Sequence, residues 1–179
     1  VYSIASIIRK DDLFFWDDIE NRCSSGGLKR TEIPHFSWQT AEEYDSNLLR
    51  EELANICQNV RPFEIHTSGL GIFPGERKIL FLIIAKDRPL LDLHEMIWEN
   101  TILYAKQPNR LYSPENWIPH ISLNLENLNS EAFSCTINEL TSKPLSFSFR
   151  IEQLGLLYLT MNSSGIDSIF NFRDSSVKR

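Results

Sequence analysis

His35, His66, His94 and His120 are the four histidines of this 179-residue chain, and two of them head the same short pattern. Pro34-His35-Phe36-Ser37-Trp38 returns 85 residues later as Pro119-His120-Ile121-Ser122-Leu123. Each reads as a strand, in which alternate side chains face opposite ways, so histidine and serine share one face and the apolar residues point to a core. Each motif thus offers an imidazole and a hydroxyl to one cavity. Breaking a phosphodiester needs one group to take a proton from the attacking oxygen and another to protonate the leaving oxygen. Imidazoles titrating near neutrality suit both tasks. Hydroxyl donors can hold the charge that gathers on the non-bridging oxygens. Such a site requires no metal or cofactor, and the Cys and His spacing suggests no metal site. The alternative is a pair of strand histidines whose ring nitrogens are satisfied by backbone inside a core.

The remaining candidates are weaker. His66-Thr67-Ser68 has the same HxS letters, but no proline precedes it and it runs into Gly69-Leu70-Gly71. It is a weaker candidate, better suited to lining a substrate pocket than to transferring protons. His94, in LHEMIW, begins like the zinc-protease HExxH but meets Trp98 where the second histidine belongs, which leaves a helix residue beside the core. Arg110 is a candidate phosphate contact from a loop that reads more simply as solvated, and Tyr112 and Trp117 could stack a base, although a core role fits both better. GLGIFPG has neither the lysine nor the following helix of a phosphate-cradling loop, so its glycines fit a bend or a close strand approach.

These residues need elements to hold them. Val1–Ile8 reads as a buried strand, Asp12–Arg22 as a helix, and Ser24-Ser25-Gly26-Gly27 as a break. Glu32–Gln39 is a short strand, and Thr40 with Glu43 has the form of a capping box before a helix to Asn59. Strands are expected at Phe63–Phe73 and Lys78–Ala85, then a helix from Arg88-Pro89 to about Ala105 and a loop over Gln107–Glu115. A strand at Ile118–Leu123, a helix at Asn129–Leu140 and a strand at Leu145–Thr160 follow. MNSSG turns the chain into a last strand at Ile166–Phe172, before a frayed tail, DSSVKR. Phe63-Glu64-Ile65 with Leu70-Gly71-Ile72 is echoed by Phe149-Arg150-Ile151 with Leu154-Gly155-Leu156, at offsets of 86 and 84 residues. These lie within one residue of the histidine offset of 85, so residues 1–179 are expected to form one domain of two pseudo-repeat halves, with motifs at 34–38 and 119–123. Two such halves pack naturally as a two-lobed α+β domain about an internal twofold.

An apolar share of 42% excludes a disordered chain. The net charge of −6 argues against a long nucleic acid as partner and for a small phosphate substrate or a local basic pocket. Three scattered cysteines argue against a disulfide framework and suggest a reducing, cytoplasmic setting. No run of residues is long and apolar enough for a membrane span or a secretory leader.

The paired motifs resemble the H-x-T/S-hydrophobic signatures of the 2H phosphoesterase superfamily, the 2′,5′ RNA ligase-like and cyclic phosphodiesterase proteins. The similarity extends through PFEIHTSGLGIFPG and LHEMIW, from about Ile33 to Leu159. It implies a bilobal fold of two antiparallel-sheet lobes with outer helices around a central cleft. It also implies action on 2′,3′-cyclic phosphates or 2′,5′ linkages of nucleotides or RNA ends. By the same resemblance His35 and His120 are the catalytic pair and Ser37 and Ser122 the phosphate-binding hydroxyls. His66, Arg110 and Tyr112 are possible pocket residues. The expectation is a monomeric, metal-independent enzyme, hydrolase or ligase; the rival is a non-catalytic binder of nucleotides or RNA ends that keeps the cleft.

Overall fold

In chain order the computed structural model, which describes residues 1–23, 32–75, 78–123, 129–160 and 163–173, begins with β1 (Tyr2–Ile7), α1 (Phe14–Cys23), β2 (His35–Tyr44) and α2 (Ser46–Asn59). It continues through β3 (Phe63–Phe73), β4 (Ile79–Ile84), α3 (Arg88–Thr101), β5 (Ala105–Pro108) and β6 (His120–Ser122). The last elements are α4 (Ser130–Thr141), β7 (Ser148–Ile151), β8 (Gln153–Leu159) and β9 (Ser164–Asn171). The Ser24–Gly27 break, part of the MNSSG turn and the tail from Asp174 lie outside the described residues.

The strands form two antiparallel sheets, of order β5-β2-β1-β8-β9 and β6-β4-β3-β7. This is the expected bilobal α+β architecture, with the helices outside. Each histidine strand pairs with an inner strand from earlier in the chain: β2 with β1, and β6 with β4. The residue at or just past the end of each inner strand donates to the motif proline, Ile8 N–H to Pro34 O at 2.8 Å and Ile84 N–H to Pro119 O at 3.0 Å. The helices start where short polar side chains cap them. Asp45, Asp87 and Asn129 accept from the N–H of Leu48, Leu90 and Ala132 respectively.

Three expectations need correction. Thr40 and Glu43 are not a capping box, because β2 continues through them to Tyr44. There β1 and β5 flank the strand, Thr40 lies opposite Ser3 and Glu43 opposite Lys106, and Lys106 Nζ meets the Glu43 carboxylate at 3.0 Å. Two flanking strands outweigh a local cap, and Asp45 takes that role. The single strand expected at Leu145–Thr160 is two. Glu152 separates β7, which pairs with β3, from β8, which pairs with β1 and β9 in the other sheet. Finally, Cys23 and Cys135 are joined in a disulfide, with Cα atoms 5.7 Å apart, tying α1 to α4. Their separation of 112 residues hid a pairing that only the packing of the two helices creates. Only Cys57 is free, and the bond removes the ground for a reducing setting. No helix among the described residues is long and apolar enough to cross a membrane.

Candidate active site

His35 opens β2 and His120 opens β6, and the alternation expected of each motif is present. His35, Ser37, His120 and Ser122 are partly open, while Phe36, Trp38, Ile121 and Leu123 are buried. The two imidazoles are held alike. His35 Nδ1 lies 2.6 Å from Ile33 O and His120 Nδ1 lies 2.7 Å from Ile118 O, in each case the carbonyl two residues earlier. A carbonyl only accepts, so Nδ1 carries the proton and Nε2 keeps the lone pair in each neutral ring. Backbone thus fixes both tautomers and leaves the same nitrogen for chemistry.

Both rings favour the neutral form. Burial lowers the pKa of His35 below the ordinary 6.5, against a smaller rise from its bond to Ile33. Burial is also the main cause for His120, its bond to Ile118 acts in the opposite sense, and the charge of His35 lowers it further. That last effect places the two histidines within electrostatic reach of each other although they stand on different sheets.

The two hydroxyls differ in surroundings. Ser3, on β1, donates to Ser37 Oγ at 2.8 Å. The Tyr112 hydroxyl is raised in pKa by burial and drawn partly back by its hydrogen bond with Ser37. Ser3 and Tyr112 therefore both approach Ser37, and three hydroxyls gather on the His35 sheet. Ser122 has Phe81 as its cross-strand partner on β4. Phe81 packs on His120, with ring centroids 5.0 Å apart, and Phe73 makes a T-shaped contact with the same imidazole at 4.9 Å.

A buried seam joins the two motifs. Trp117, three residues before His120, donates from its indole to Ser37 O at 3.0 Å. Its ring stacks on His94 at 3.7 Å and on Trp38 at 5.5 Å. His94 Nε2 reaches both Trp38 O (3.1 Å) and Tyr112 O (3.0 Å), so it is the donor there and ties α3 to β2 and to the turn at Arg110–Tyr112. Burial drives its pKa down to about 4. His94 is thus a core residue, as its sequence context suggested, and Trp117 is core as well.

Of the other candidates, Tyr112 joins the site through Ser37. His66 is exposed on β3, two strands from His120, with Nδ1 2.9 Å from the Ser148 hydroxyl. Arg110 is exposed; after Ser113 and a backbone N–H, its charge helps to hold the Glu115 carboxyl low. Ser3, Phe73 and Phe81 reach the site without having been singled out in the sequence. The only signals were a serine inside the apolar run YSIASII and phenylalanines flanking the glycine-rich stretch. Among the described residues, no three His, Cys, Asp or Glu side chains gather as metal ligands.

Two antiparallel sheets, each carrying an H-x-S strand, define a 2H phosphoesterase-type fold. The sequence matches the 2′-5′ RNA ligase superfamily over residues 11–161, and the chain belongs to that family of 2H phosphoesterases. No curated protein matches it significantly. Among solved structures it resembles Escherichia coli LigT in its apo form, at 12% identity and TM-score 0.62, covering 96% of each chain. A protein described as a phosphoesterase matches at 12% identity and TM-score 0.59, over 96% of this chain and 97% of that one. Kluyveromyces marxianus Usb1 matches at 12% identity and TM-score 0.52, over 92% and 96%. LigT has also been solved with 3′-AMP and with NADP+, and this Usb1 with uridine monophosphate. At such identities the likeness is one of fold.

Proposed function

We propose that this chain is a metal-independent phosphodiesterase acting on 2′,3′-cyclic phosphates or 2′,5′-type linkages of nucleotides or RNA ends, with His35 and His120 as its acid–base pair. The observation that carries the proposal is the matched anchoring of the two rings. Each is fixed by an Nδ1–H bond to the carbonyl two residues back, and each keeps Nε2 for proton transfer. One neutral imidazole takes the proton from water or, in a 2′,5′ linkage, from the free 3′-hydroxyl. The other, protonated, gives its proton to the leaving oxygen, so the pair exchanges roles over one turnover. Ser37 and Ser122 donate to the non-bridging oxygens as charge accumulates there. The two halves, related by a duplication, would meet where β3 and β7 pair. There Phe63 lies opposite Ile151 and Ile65 opposite Phe149, so the offset of 86 residues maps that pairing onto itself. Nucleotides bound to LigT and Usb1 fit a nucleotide substrate. Both histidines come from one chain, which suits a monomer. With Cys23 and Cys135 bonded, an oxidising compartment fits better than the cytoplasm.

The test is hydrolysis of nucleoside 2′,3′-cyclic phosphates in EDTA. Turnover that persists in chelator and disappears in the His35→Ala and His120→Ala variants is expected. Loss of activity in EDTA with recovery on adding Mg²⁺ or Mn²⁺ would refute the two-histidine mechanism. Tight nucleotide binding with no turnover would favour the binding protein instead.

A further inference from the structure

The faces that carry the two H-x-S motifs are built from different side chains. Residues opposite each other in an antiparallel pair share a face, so the register identifies the neighbours of each motif. Beside β2, Ile7 lies opposite His35 and Ala5 opposite Ser37, and Gly155 continues the row on β8. Beside β6, Ile83 lies opposite His120 and Phe81 opposite Ser122, and Gly71 and Phe73 continue that face on β3. Where one sheet has alanine next to its motif serine, the other has phenylalanine.

The aromatic side is a constructed surface. A Cβ on Gly71 would lie 2.2 Å from the Phe81 ring, so only glycine there lets that ring lie across β3. Phe73 then stacks on Phe81 at 4.1 Å, stands nearly perpendicular to the His120 ring at 4.9 Å, and remains only half-buried. The opposite sheet presents the Ser3–Ser37–Tyr112 hydroxyls at the corresponding place.

We infer that Phe73, backed by Phe81 and seated by Gly71, is the base-stacking subsite of this cleft, and that the nucleoside bearing the reacting phosphate lies on the His120 sheet. The ligand class is a nucleobase, whose flat π-face stacks on phenylalanine whatever its hydrogen-bonding edge. A base at Phe73 leaves its sugar phosphate beside His120, with the hydroxyls of the other sheet facing the phosphate from across the cleft. The inference rests on the reading of the cleft as a phosphodiesterase site, and it removes the equivalence of the two halves that the sequence left standing.

The experiment compares wild type with Phe73→Leu, which keeps apolar bulk without a π-face, and Phe73→Trp, which enlarges the face. Two ratios are read: kcat/KM for nucleoside 2′,3′-cyclic phosphates over base-free methyl-riboside 2′,3′-cyclic phosphate, and calorimetric affinity for nucleoside 3′-monophosphates over ribose phosphate. In Phe73→Leu both ratios should fall by about 5- to 150-fold, and in Phe73→Trp they should hold or rise. Equal losses on base-bearing and base-free compounds would show that Phe73 merely props His120, and would overturn the inference. So would wild-type ratios in Phe73→Leu. If no compound is turned over, the phosphodiesterase reading fails, and the affinity ratio alone decides the stacking subsite: base preference lost in Phe73→Leu supports it, and no base preference in wild type overturns it.

Discussion

The two histidine strands agree in backbone and disagree in side chains. Motif proline, Nδ1 anchor and inner-strand neighbour recur at His35 and His120 with distances that match within 0.2 Å. Around them the resemblance stops. β2 is ten residues long, flanked on both sides, and beside His35 it meets small and hydroxyl side chains. β6 is three residues long and at the sheet edge, under an aromatic pair. What proton transfer requires is set by main-chain bonds that many sequences satisfy. What distinguishes one end of a substrate from the other lies in side chains free to diverge.

The strongest way to break that comparison is to remove each imidazole. His35→Ala and His120→Ala should each lower turnover by about 10²–10⁴-fold, and the double variant should be little worse, because the pair acts as a unit. Additive losses in steady-state rates would show two independent roles. Since burial lowers both histidine pKa values, the rate–pH bell should peak below about 6.5, and its limbs belong to the pair rather than to either ring. An optimum above pH 7.5 would contradict this.

Next come the hydroxyls. Ser37→Ala and Ser122→Ala should each lower kcat by about 10²–10³-fold, with the greater loss at Ser37, whose hydroxyl is held in place by Ser3 and Tyr112. A greater loss at Ser122 would reverse the assignment of the more ordered donor.

The seam between the motifs should respond to acid. His94 has its folded pKa depressed to about 4, so below about 6.5 the unfolded chain takes up a proton that the folded chain resists. Stability present above that pH should be lost as pH falls from about 6.5 toward 4, by on the order of 2 kcal/mol. Urea unfolding at intervals across this range checks it, and His94→Gln should show a shallower slope. The smallest effect is at Ser3. Its removal costs one hydrogen bond, so Ser3→Ala should lower kcat by about 2- to 10-fold, and no further when Ser37 is already alanine. The same loss in both backgrounds would mean Ser3 acts without Ser37.

Local pattern made the motif strands legible. In Pro-His-Phe-Ser-Trp and Pro-His-Ile-Ser-Leu the period of two settled which side chains are buried, and His94 on an amphipathic helix was recognisable as core. The capping box at Thr40 failed because its residues also suit a strand, and only β1 and β5, distant in sequence, decide between the two. The passage from one sheet to the other at Glu152 was not legible, because polar and apolar residues alternate up to it as they would along a single strand. Cys23 and Cys135 looked unpaired because a disulfide depends on how α1 and α4 pack. Sequence by itself determined the chemistry on offer, two imidazoles and two hydroxyls on strand faces, since alternation is a property of the chain. Only the tertiary structure decided what surrounds each pair: Ser3 and Tyr112 at Ser37, Phe73 and Phe81 at His120. Those neighbours are set by register between strands far apart in the chain, and register is fixed by how the whole core packs.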